Sequence, residues 1–154
     1  MLVRDVMKSS TTCTPSTNLG VVMETLRSCG CDALPVVDAL GKVVGMIAGG
    51  DICVALGTTN RRPSELLAGQ VMSEPVPCRI DDEIHTALGI MKARKTRCLP
   101  VLDEEGVLEG ILRVSDLILE AQHENGRRPQ LSYEDVMGAL KGIYYQRSAA
   151  ASKP

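Results

Sequence analysis

A gapless internal repeat constrains this chain more than any other feature. Leu34-Pro35-Val36-Val37-Asp38 returns as Leu99-Pro100-Val101-Leu102-Asp103, 65 residues later. At the same offset Gly41, Gly45 and Asp51 return as Gly106, Gly110 and Asp116, Val6-Met7 as Val71-Met72, and Cys13 as Cys78. A constant shift without insertions marks a duplicated folding unit. Neither copy is long enough to cover both faces of its own sheet, so the two are expected to pack on each other about a pseudo-twofold axis.

Each unit reads as strand, helix, strand, strand, helix, giving a mixed α/β (α+β) fold. Residues 1–8 make a short amphipathic start, and Thr11-Thr12-Cys13-Thr14 suits a brief strand. Ser16-Thr17-Asn18 offers N-caps for a helix over 19–28, in which Leu19, Val22, Met23 and Leu26 fall on one face and Gly30 serves as C-cap. A hairpin over 33–38 and 42–48 follows, then a helix over 51–56. Residues 57–63 read as a linker, and 64–71 restart the opening motif. The second unit predicts a strand over 76–79, a helix over 83–94, and a hairpin over 98–102 and 107–112. Its polar turn Asp103-Glu104-Glu105-Gly106 needs a positive φ at the glycine. A helix over 116–124 closes it. The organisation is therefore repeat one at 1–60, repeat two at 61–125, and a C-terminal segment at 126–154. In that segment Ser132 caps a helix over 133–146, with an apolar stripe of Val136, Met137, Leu140, Ile143 and Tyr144. Residues 149–154 are expected to fray.

Composition removes several classes of function. The chain has 154 residues and a formal net charge of −2, which gives no reason to expect DNA or an anionic membrane. It lacks Phe and Trp, and its three Tyr all lie between 133 and 145, so no base-stacking platform is expected. No apolar run is long enough to span a bilayer, and the first ten residues do not read as a signal peptide. The six Cys lack zinc-loop spacing, Cys29-Gly30-Cys31 having one intervening residue, so they read as reduced cytosolic thiols and no metal site is expected. No nucleophile–base pairing is evident around His85 or His123, so the chain does not read as an enzyme.

The doubled Val-Met opening, the doubled Leu-Pro-Val-x-Asp and the doubled Gly-x-x-x-x-x-Asp ending carry a family resemblance over residues 1–123. The chain resembles a standalone, bacterial-type tandem pair of cystathionine-β-synthase (CBS) domains, a Bateman module. The resemblance implies a cytoplasmic, homodimeric regulatory module acting on a downstream protein that the sequence does not identify. It further implies a cleft between the repeats for AMP, ADP, ATP or an S-adenosyl compound such as S-adenosylmethionine, with no cofactor required. The alternative reading is a ligand-free dimerisation and interaction module.

The resemblance also names candidate ligand residues. The ribose contact falls on Asp116 and Asp51, where one ionised carboxylate can accept from two vicinal hydroxyls. Each Asp would equally serve as a helix cap. Nucleotide-binding members carry Ser or Thr three residues earlier, where this chain has Ala48 and Arg113. A missing hydrogen bond to a charged group costs ~1.5–3 kcal/mol, roughly ten- to a hundredfold in affinity. Arg97 and Arg113, with Arg94 and Lys95 nearby, are the candidates for phosphate. They would equally make an ordinary solvated basic face. Adenine would lie against Val76, Pro77 and Cys98 in repeat two and against Thr12 and Ala33 in repeat one, residues that ordinary core packing would explain as well.

Overall fold

A computed structural model describes residues 1–145. Gln146 and the frayed end expected at 149–154 lie outside the described residues. In the first repeat α1 spans Leu19–Cys29, β1 Ala33–Val37, β2 Val43–Ala48 and α2 Gly49–Thr59. In the second, after a one-turn α3 (Ala68–Val71), β3 spans Cys78–Arg79, α4 Ile84–Arg94, β4 Cys98–Leu102, β5 Leu108–Arg113 and α5 Val114–Glu120. The last helix, α6, spans Tyr133–Tyr144.

Local chemistry explains the boundaries. Asn18 Oδ1 accepts from the Val21 amide at 3.0 Å and opens α1, which Gly30 ends in the left-handed region at φ 65°. Ser132 and Asp135 form a reciprocal capping box at the start of α6. The hairpin glycines Gly41 and Gly106 take φ of 80° and 84°, as a tight polar turn requires. Four expectations are corrected. α2 begins at Gly49 rather than 51, because Asp51 sits one turn in and its Oδ2 accepts the Ala48 amide at 2.9 Å. It also runs to Thr59, taking in Gly57 and shortening the linker. α5 begins at Val114 and stops at Glu120, because Gln122 leaves the helix axis to exchange backbone bonds with Leu131 and Tyr133. The first strands shrink to a single bridge at Cys13 and to two residues at Cys78–Arg79. In the stripe of α6, Ala139 is buried, whereas Met137 faces out.

The repeats are knitted by exchange of their opening segments. Lys8 pairs antiparallel with Ile111 on β5, donating at 2.9 Å and accepting at 2.8 Å. Its counterpart Ser73 pairs the same way with Met46 on β2, at 2.8 and 3.0 Å. Val3 and Val6 are buried in the core of the second repeat and of α6, while Leu66 and Ala68 belong to the core of the first. Near the axis the hairpin ends meet symmetrically, Val43 donating to Gly106 and Leu108 to Gly41. The repeated glycines follow from this crossing. A Cβ at Gly110 would lie 2.6 Å from the Lys8 carbonyl oxygen, and one at Gly45 would overlap the Met72 side chain. Among the described residues no helix is long and apolar enough to cross a membrane.

Candidate ligand cleft

Each hairpin helps to wall a cavity between the repeats. Its volume is about 950 Å3, and its lining comes from equivalent stretches of both copies. The turns after α1 and α4 contribute Cys29–Ala33 and Lys95–Cys98, and the junctions before α2 and α5 contribute Ala48–Gly50 and Arg113–Ser115. Repetition of the fold thus places two similar half-sites face to face. Symmetry fails elsewhere: residues 9–11 line the cavity but their counterparts 74–76 do not, and α6 adds Leu140, Ile143 and Tyr144.

Of the residues singled out from sequence, Arg97, Arg113, Cys98 and Ala33 line the cavity. Thr12, Val76 and Pro77 do not, and Thr11 takes the place expected of Thr12. The two carboxylates sit behind the lining. Asp51 is engaged on both oxygens, accepting from Ala48 N–H and from the Ser73 hydroxyl at 2.8 Å. Asp116 is buried, and its Oδ2 accepts from Arg113 Nε at 3.0 Å. Arg113 also brings Nη1 to 4.0 Å from Cys31 Sγ, so it spans the cleft from the second repeat to the first. The guanidinium stands where the resemblance calls for a hydroxyl and holds the carboxylate that a ribose would need.

Charge around the cleft is predominantly cationic. Lys95, Arg97 and Arg113 face Asp32, whose Oδ2 lies 3.7 Å from Arg97 Nη2. A hydrogen bond to the Tyr144 hydroxyl, assisted by Asp32, raises the pKa of Arg97 above the ordinary guanidinium value. Burial, then Asp32, pushes the Cys98 thiol up against the opposing pull of Arg97 and Arg113, so the thiolate is disfavoured. Cys29 and Cys31 lie side by side at the turn that ends α1. Their Cα atoms are 5.3 Å apart, because the turn at Gly30 folds Cys31 back to donate its amide to Leu26. His85 lies outside the cavity and meets Asp135 at 3.2 Å, while His123 stacks on Tyr133. Among the described residues no group of three or more His, Cys, Asp or Glu is placed to hold a metal ion.

Tyr144 was legible only as part of an apolar stripe. Its phenol end, unusual in a chain with almost no aromatics, is the one sequence signal that α6 reaches a polar site.

Comparisons with known proteins agree with this architecture. The CBS domain family matches twice, at residues 3–58 and 68–123. An uncharacterized protein of Methanopyrus kandleri is 28% identical over 116 residues, covering 75% of this chain and 57% of that protein. The inosine-5'-monophosphate dehydrogenase of Methanocaldococcus jannaschii is 28% identical over 146 residues, 94% of this chain but 28% of the enzyme. The chain therefore spans only part of the curated relatives it matches. Among solved structures, CBSX2 in complex with AMP is 25% identical with a TM-score of 0.69, covering 77% of this chain and 94% of that one. With a doubled family match laid over two copies that exchange their opening segments, the chain belongs to the CBS domain family, as a tandem pair.

Proposed function

We propose that this chain is a regulatory sensor that takes an adenosine-containing ligand into the cleft between its repeats. The carrying observation is a single cavity of about 950 Å3 walled by both copies. That volume suits a nucleotide, and a ligand touching both walls binds one arrangement of the repeats better than another, which is all a population shift requires. The cations at 95, 97 and 113 favour phosphate-bearing ligands, AMP, ADP or ATP, over the S-adenosyl cation of S-adenosylmethionine. The AMP complex of the related CBSX2 supports the reading. Asp116 serves the ribose once Arg113 turns toward phosphate.

The module works as a homodimer in the cytoplasm, passing its state to a downstream protein. α6 covers α4, whereas on the first repeat Val21 of α1 is 51% exposed and Val54 of α2 is 65% exposed, leaving apolar surface for a second copy. Catalysis is not assigned to this chain, which matches only 28% of the length of the dehydrogenase.

Calorimetric titration of the purified chain with AMP, ATP and S-adenosylmethionine tests the proposal. Heat of binding lost in Asp116→Ala supports it; no heat and no thermal shift at millimolar ligand removes it. A second reading, an interaction module without ligand, is favoured by one observation: protein groups already occupy both Asp51 and Asp116.

A further inference from the structure

The end of α6 engages two of the three cations that the cleft offers to phosphate. Lys95 Nζ donates to the carbonyls of Gly142, at 3.2 Å, and Tyr145, and it lies 5.3 Å from the centre of the Tyr145 ring. Arg97 Nη1 donates to the Tyr144 hydroxyl at 3.3 Å. The last carbonyls of a helix carry partial negative charge and lack intrahelical partners. Together with the phenol oxygen they present Lys95 and Arg97 with the oxygens that a phosphate would supply. Leu140, Ile143 and Tyr144 line the same cavity, so contact with α6 and contact with ligand fall on one wall.

The backbone points the same way. Lys95 holds φ 53°, in the left-handed region, where the first repeat places Gly30 at φ 65°. A glycine would take that conformation without Cβ strain, and the lysine is held there with its ammonium on α6. The first repeat lacks the lysine, and among the described residues no helix is placed on α1 as α6 is on α4.

We propose that the C-terminal turn of α6 is a built-in occupant of the phosphate subsite, displaced when a phosphorylated ligand enters. The inference rests on the cleft reading above. Phosphate and α6 compete for Arg97 and Lys95, so binding frees the end of α6 and uncovers the α4 face on which it lies. The cleft would then report its occupancy through a helix that belongs to neither repeat.

Three full-length proteins test this: the parent, Tyr144→Phe and Lys95→Gly. Tyr144→Phe keeps the ring and removes the competing oxygen. It should bind ATP roughly three- to tenfold more tightly, the worth of one ordinary hydrogen bond at an exposed site, and adenosine no differently. In the parent, ATP should speed amide exchange in the last turn of α6. Lys95→Gly, whose backbone suits the turn, should speed it without ligand. If ATP binds parent and Tyr144→Phe equally and α6 exchange does not change, the displacement is overturned while the cleft reading stands. Equal tightening for ATP and adenosine also overturns it, since competition then does not involve phosphate. If neither ATP nor adenosine binds any of the three, both readings fall together.

Discussion

Gly110→Ala should be among the most damaging single-methyl additions in this protein. The added Cβ would lie 2.6 Å from the Lys8 carbonyl oxygen and 3.4 Å from Met7 Sδ. A backbone carbonyl cannot rotate aside, so the opening segment must retreat from β5. That retreat puts at risk the Lys8–Ile111 pair of hydrogen bonds, 2.9 and 2.8 Å long. Two such bonds contribute about 2 kcal/mol net, and overpacking adds ~1–3 kcal/mol. Replacing glycine returns about 0.4–1 kcal/mol through the unfolded chain. The net loss is about 2–4 kcal/mol, which for a chain of this size lowers Tm by roughly 5–15 °C. Gly45→Ala is the internal control, because there the neighbour is the Met72 side chain, which can change rotamer. Its cost should stay below about 1.5 kcal/mol. Thermal melts followed by far-ultraviolet circular dichroism, with urea titrations for the free energies, compare the two variants. Equal melting of Gly110→Ala and the parent, or a greater loss in Gly45→Ala, would refute the crossing as the reason for the repeated glycine.

Acid should weaken the seat of α6 specifically. Burial opposes ionisation of Asp135, but hydrogen bonds from the Ser132 amide and from the His85 and Ser132 side chains outweigh it and lower its pKa. A depressed carboxylate adds stability that is present above its unfolded pKa and is lost as pH falls through the folded value. The Tm difference between parent and Asp135→Asn should therefore be full at pH 6 and vanish in strong acid; a gap independent of pH would contradict it. Thiol labelling should sort by burial. Burial pushes Cys13 up to about 11, and burial with Asp82 nearby pushes Cys78 up to about 12, whereas Cys53 is exposed. Ellman's reagent at pH 8 should titrate Cys53 rapidly in the native protein and Cys13 and Cys78 only after denaturation. Fast native labelling of Cys78 would show that its core opens.

Helix and hairpin positions were legible because their signals are local. Asn18, Gly30, Ser132 and the turn glycines each act within a few residues of chain. The element boundaries that shifted depend on partners far along it: Gln122 is drawn off α5 by residues 131 and 133, and the strand at Cys13 has only one partner residue to pair with. Duplication predicted that the repeats pack together, but not that each lends its opening segment to the other, since like pairs with like equally well in a repeat pattern. In the cleft, the cations could be found from their departure from repeat symmetry. The engagement of Arg97 by Tyr144 could not, because side-chain reach across 47 residues leaves no spacing to read.

The crossed opening segments bear on where such a molecule comes from. Every pairing that joins the two halves has a mirror at the fixed offset, as Lys8–Ile111 does in Ser73–Met46. Two copies of a half-length ancestor could therefore have met through the same pairings, each lending its first residues to the other. Fusing their genes through the short tether at 60–62 would need no invented contact, only a raised local concentration of one half around the other. Once fused, the halves were free to diverge, and a lysine where its twin keeps a glycine is what that freedom looks like.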